Sequence, residues 1–193
     1  MSSIVIICAV YPPEPLVSAR MAQDSASHLV KMGHTVSVLC PQPSRPIDTD
    51  YRQYVNSLHP VTTFEEGISV IRLPSFRSPL SGLLHRLYES WSFGVHVCQY
   101  LSSQAKGPLD VLYVNAWPML AQALIMHYAT RKAVPVVLQI MDIYPESLAE
   151  KLPKCVRYII SLPLRVLDKW IARKAKKVSV ISESMRSSYQ RTR

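Results

Sequence analysis

The chain reads as an α/β protein: a doubly wound, mostly parallel sheet with helices on both faces. Three observations predict this. The first forty residues run strand, proline-broken loop, helix and strand, the order of a right-handed βαβ unit. After residue 83 helical and strand patterns alternate to the end of the chain. The run Val136-Val137-Leu138, entered from Pro135, is apolar at consecutive positions, as a strand covered on both faces must be.

Ile4–Val10 is an uninterrupted apolar, β-branched run and reads as a central strand. Pro12, Pro13 and Pro15 forbid helix or central strand in the next stretch. Ser18 is placed to N-cap a helix to about Met32, with Ala19, Ala22, Ala26, Leu29 and Val30 near one face. Gly33 suits the left-handed position that closes it, and His34–Cys40 is the second strand. Val61–Phe64 and Ile68–Leu73 read as short strands around a tight turn at Glu65-Glu66-Gly67. Leu83–Ser103 is helical by pattern, carrying Leu84, Leu87, Tyr88, Trp91 and Val95. A strand at Val111–Val114 follows Asp110, and Pro118 starts a helix through about Lys132. From Pro153 to Lys177 the pattern is amphipathic and helical, with Ser161 and Pro163 expected to divide it in two. Val178–Ile181 is the last strand, and Ser182 or Ser184 caps a final helix.

At 193 residues and 48% hydrophobic content, the chain suits one globular domain and excludes a disordered one. The longest apolar run, around Met119–Ala129, is too short to cross a bilayer and is interrupted by Gln122 and His127. The start lacks the basic region of a signal peptide. Four cysteines are scattered without a CxxC pair, and six histidines show no HxxH spacing, so buried thiols are expected and a metal site is not. The net charge of +9 is one-sided: residues 151–193 hold 12 Lys/Arg against 2 Asp/Glu. A basic segment of this kind fits an anionic membrane, a nucleic acid or an acidic protein surface, and equally a solvated helix face.

The run Val136-Val137-Leu138 leads within a few residues to Asp142 and Glu146. A carboxylate just past the carboxyl end of a buried parallel strand lies where open α/β sheets hold ligands. Asp142 can accept a hydrogen bond from a substrate hydroxyl and assist its deprotonation, or it can cap the following helix. Glu146 suits a helix-dipole partner. Asn115 and Trp117 follow another strand end; Trp117 offers a stacking face for a sugar or polyprenyl group, or serves the core. Arg20, at the start of the first helix, is placed for a phosphate or for solvent.

These segments together resemble a family. The first strand leading to Tyr11-Pro12-Pro13-Glu14-Pro15, then Ala19 and Arg20, resembles the opening of retaining GT-B glycosyltransferases of the family 4 type. Lys31-Met32-Gly33-His34-Thr35-Val36 and Gly67-Ile68-Ser69-Val70-Ile71-Arg72-Leu73-Pro74 are similar to its next passages. Asp142-Ile143-Tyr144-Pro145-Glu146-Ser147 and Val178-Ser179-Val180-Ile181-Ser182-Glu183 resemble two further signatures. The nearest subgroup is similar to N-acetyl-fucosaminyl and other surface-polysaccharide transferases.

The resemblance implies that residues 1–193 form one Rossmann-like, acceptor-binding N-terminal domain, half of a GT-B fold. The donor-binding C-terminal domain, with its glutamates eight apart, would be absent, since no two glutamates here have that spacing. It implies sugar transfer from a nucleotide-sugar donor to a lipid-linked or polysaccharide acceptor, with no resident cofactor or metal, and a fragment inert by itself. Asp142 would be catalytic, with Arg20, Asn115, Trp117 and Glu146 binding acceptor. Lys154, Arg157, Arg165, Lys169 and Arg173 would face an anionic membrane, placing the protein in the cytoplasm on the inner face of the cell membrane. One departure is that Leu16-Val17-Ser18 stands where the family carries a Gly-Gly pair near donor phosphates. Two rivals remain. A dinucleotide-binding dehydrogenase lacks its G-x-G-x-x-G here, and a basic nucleic-acid or acidic-partner module lacks any accompanying motif.

Overall fold

Consecutive apolar residues on parallel strands demand cover on both faces, and the chain builds its sheet accordingly. The computed structural model describes every residue except 45, 47–49, 57, 77–81, 104–108, 116–118, 142–153 and 193. For residues 83, 154–161 and 192 it describes the backbone alone. The strands are β1 Ser3–Ile7, β2 Thr35–Pro41, β3 Val61–Glu65, β4 Ile68–Leu73, β5 Val111–Asn115, β6 Val136–Ile140 and β7 Lys177–Val180. They form one sheet in the order β3-β4-β2-β1-β5-β6-β7, parallel except where β3 pairs with β4. The helices are α1 Val17–Lys31, α2 Leu83–Ser103, α3 Met119–Lys132, α4 Lys154–Lys174 and α5 Glu183–Thr192.

Side-chain alternation divides the core in two. Ile4, Ile6, Val36, Val38, Ile68 and Val70 meet Ala22 and Ala26 of α1 on one face. Ile7, Leu39, Leu112, Val114, Leu138 and Ile140 pack on the other face among side chains of α2, α3, α4 and α5. The alanines let α1 lie close to the sheet. On the other side Gly94 does the same between helices: a Cβ there would stand 2.7 Å from Ala121 Cα. Ser90 of α2 reinforces that contact by accepting the Ala121 N–H at 3.0 Å, and so caps α3 from outside.

Several local expectations hold. Gly33 closes α1 at φ +85°, with Gly33 N–H bonded to Val30 O and His34 N–H to Leu29 O, a Schellman pair. Glu66 and Gly67, both at positive φ, form the hairpin turn between β3 and β4. Ser182 caps α5, its Oγ accepting the Met185 N–H at 3.2 Å.

Three expectations are corrected. Ser18 lies inside the first turn of α1; Leu16 holds the cap position in extended geometry with no side-chain bond. β1 ends at Ile7 rather than Val10 because the chain turns toward the prolines, although Cys8 N–H still reaches Leu39 O at 3.1 Å. Pro163 does not divide α4, which is one helix through that point. Pro163 sits on the exposed side, while Leu164, Leu167 and Ile171 carry the packing face past it. The carbonyl freed by the missing N–H therefore costs one hydrogen bond and not the helix.

Candidate functional site at the carboxyl edge of the sheet

From β1 the chain moves outward to β2 and β4, and it then returns to place β5 on the other side of β1. The connections leaving β1 and β5 therefore diverge. In doubly wound sheets the crevice at the carboxyl ends of such a strand pair is where ligands bind.

The floor of this crevice is a transverse row on the α1 face. Cys40 and Arg72 are register partners on β2 and β4. Ile7 pairs with both Leu39 and Val114, so Cys8 stands between Cys40 and Asn115. Asn115 is 8% exposed, and its side-chain Oδ1 is buried with no hydrogen-bond partner among the described residues. Its backbone carbonyl accepts Gln122 Nε2 of α3 at 3.1 Å, which fixes the strand end. A buried acceptor left unsatisfied carries the full cost of its desolvation unless a ligand donates to it. Burial pushes the thiols of Cys8 and Cys40 up, that of Cys40 to about 12, so both stay protonated and unreactive.

One wall of the crevice, the loop Cys8–Leu16, is fastened from below by Arg72, which is 1% exposed. Its guanidinium donates to Pro12 O at 2.8 Å, to Thr63 Oγ1 at 2.6 Å and to Glu65 Oε1 at 3.1 Å. Its carbon also lies 4.6 Å from the centre of the Tyr54 ring. Thus β4 and β3 hold the prolyl loop through a charge-assisted bond. Glu14 ties the same loop to the chain after β2 by accepting the Ser44 N–H at 3.0 Å. Tyr11 is 2% exposed beneath the loop, and its hydroxyl has no partner among the described residues. Burial raises its pKa well above the ordinary phenol value, and the Glu65 carboxylate adds to the rise.

Asn115 is thus the one sequence-derived candidate that the described residues place in the crevice. Arg20 is exposed on the first turn of α1, while Leu16 and Val17 also face solvent there. Asp142, Glu146 and Trp117 lie outside the described residues, as do the side chains of Lys154 and Arg157. Arg165 and Arg173 are exposed on α4 and Lys169 is half-buried. Arg72, Glu14 and Tyr11 went unselected in the sequence. The usable signal was Ile71-Arg72-Leu73: a lone cation in an apolar strand must be buried and paired.

A prolyl loop, a strand-end amide and a switch point in one mostly parallel sheet define a Rossmann-like domain. Residues 18–193 match the family model described as Glycosyl transferase 4-like domain, and the chain belongs to that family. No curated protein matches the chain. Among the solved structures that share its fold are two with bound nucleotides. One is the catalytic domain of starch synthase IV from Arabidopsis thaliana bound to ADP and acarbose. It is 16% identical, with a TM-score of 0.54, over 73% of this chain and 34% of that one. The other is a Medicago truncatula protein complexed with UDP-glucose. It is 18% identical, with a TM-score of 0.50, over 72% of this chain and 29% of that one. The chain thus spans about a third of the solved structures it matches.

Proposed function

We propose that the chain is the acceptor-binding half of a glycosyltransferase that moves a sugar from a nucleotide-sugar donor to a lipid-linked or polysaccharide acceptor. The observation that carries this reading is the buried Asn115 Oδ1 at the end of β5, without a partner among the described residues, in a domain of the glycosyl transferase 4-like family. An acceptor hydroxyl donating to that oxygen would satisfy it and point the hydroxyl across the crevice. In this reading Asp142 accepts the proton of a neighbouring acceptor hydroxyl, the one that is glycosylated, and Trp117, Glu146 and Arg20 hold the rest of the acceptor. A second Rossmann-like domain supplies the donor contacts, so the chain by itself does not transfer sugar. The reaction retains anomeric configuration and uses no resident cofactor or metal, and the acceptor belongs to surface-polysaccharide synthesis of the N-acetyl-fucosaminyl type. The protein works in the cytoplasm, peripheral to the inner face of the cell membrane, with Lys154, Arg157, Arg165, Lys169 and Arg173 toward anionic lipid.

Asp142→Asn, made in a protein that also carries the donor-binding domain, tests the chemistry. Turnover should fall by about 10² to 10⁴ while nucleotide-sugar affinity holds. Unchanged turnover would reduce Asp142 to a helix cap.

A further inference from the structure

We propose that the outer face of the helix layer formed by α2, α3 and α4 is a docking surface for an anionic phospholipid bilayer. The inference deepens the membrane part of the proposed function and rests on that reading for its purpose, although its test involves no sugar.

The sequence stripe Leu84, Tyr88, Trp91 marks α2 as amphipathic, yet α2 buries the opposite side, with Ser90, Phe93 and Val97 turned inward. Leu84 is 78% exposed, Tyr88 50% and Trp91 46%, and Phe76 joins them from the β4–α2 connection. The rings form a ridge: Phe76 meets Tyr88 edge-on at 4.6 Å, and Tyr88 stacks on Trp91 at 5.6 Å. This ridge occupies the first turns of α2, the end nearest the carboxyl edge of the sheet. An open groove of about 460 Å³ between α3 and α4 extends the apolar surface, lined by Ala123, Leu124, Pro163, Val166, Leu167 and Trp170. Leu124 of the groove also touches α2, its Cδ1 lying 2.9 Å from the Cβ position of Gly94, three residues after Trp91.

The charge on this face selects the occupant. On α4, Leu162 and Val166 stand 56% and 63% exposed beside Arg165, Lys169 and Arg173, which follow at four-residue steps. Among the described residues of these helices, the acidic groups are neutralised or turned away. Glu89 pairs with Arg86 at 2.8 Å, and Asp168 faces inward, accepting the Tyr189 hydroxyl at 3.2 Å. Amphipathic Tyr and Trp beside aliphatic groups and cations match the headgroup region of an anionic leaflet. Docked this way, the ridge would bring the end of the helix layer nearest the carboxyl edge of the sheet toward the lipid.

Co-sedimentation of the chain with vesicles of neutral phosphatidylcholine, and of phosphatidylcholine mixed with phosphatidylglycerol, tests the proposal. Binding should require the anionic lipid and weaken as salt rises. Tyr88→Ser with Trp91→Ser should weaken it by about tenfold or more. Lys169→Gln with Arg173→Gln should weaken it by about thirtyfold at low salt. Brominated lipid should quench tryptophan fluorescence of the unmodified chain, a readout that does not depend on any variant folding. No quenching, binding indifferent to the ridge variant, or tight binding to duplex DNA without binding to vesicles would overturn the proposal. So would self-association lost in the ridge variant, which would assign the face to a second copy of the chain. Docking and chemistry separate cleanly: a two-domain protein that loses vesicle binding yet still glycosylates a water-soluble acceptor has lost the membrane alone.

Discussion

On the α1 side, the carboxyl end of the sheet buries Arg72, Glu14 and Tyr11, whereas the helix layer on the far side leaves Leu84, Tyr88 and Trp91 in solvent. The first region spends its polar groups inside, on Pro12, Thr63, Glu65 and Ser44, and so fixes the backbone of a loop. The second packs through small contacts such as Gly94 against Ala121, and leaves its large rings exposed. The contrast separates two tasks. A rigid loop wall shapes a small-ligand crevice, while an exposed apolar ridge suits a broad surface.

Alkaline pH should stress the first region most. Folding keeps the Cys40 thiol protonated up to about 12, while the unfolded chain ionises in the ordinary thiol range. The stability this contributes is whole below that ordinary range and is lost as pH climbs toward 12, on the order of 4 kcal/mol for one fully buried thiol. Cys8 and Tyr11 shift in the same direction. Hydrogen exchange at high pH should therefore show β1, β2 and β4 losing protection before α2 and α3; the reverse order would erase the contrast. Arg72→Ala comes next and should cost about 3 kcal/mol in denaturant unfolding, from lost charge-assisted bonds and an unfilled space. Gly94→Val acts on the second region and should cost about 2 kcal/mol, because backbone, not a flexible side chain, meets the new Cβ. Smallest of all, Tyr88→Ser with Trp91→Ser should change stability by less than about 1 kcal/mol despite removing two aromatic rings. A loss like that of Arg72→Ala would mean the ridge belongs to the core.

The sequence showed the strand alternation, the Gly33 closure and the Glu66-Gly67 turn because each is decided within a few residues. It misplaced the start of α1 since a serine in the right neighbourhood is a cap only if its side chain meets a free N–H, and Ser18 falls two positions after the cap at Leu16. Pro163 misled because a proline removes one helical hydrogen bond, a local loss that the packing of Leu164, Leu167 and Ile171 on the core outweighs. The stripe of Leu84, Tyr88 and Trp91 correctly gave a helix but not its orientation, since periodicity marks an apolar side without saying what covers it. In the candidate site, Asn115 was legible from its place at a strand end. The clamp was not, because Arg72 reaches Pro12 across 60 positions of sequence. Asp142, Glu146 and Trp117 lie outside the described residues, so the sequence alone argues for them.

The account turns on the crevice between β1 and β5 holding a glycan acceptor. Backbone-amide NMR of the chain, titrated with a detergent-solubilised, short-chain polyprenyl diphosphate sugar, addresses that directly. The predicted result is a set of shifts confined to Cys8, Tyr11, Asn115 and their neighbours at the carboxyl edge, with affinity reduced about fivefold to tenfold by Asn115→Ala. Shifts gathered instead at the opposite edge, around Gly33, Ala133 and Lys176, or an Asn115→Ala chain that binds as well as the parent, would contradict it.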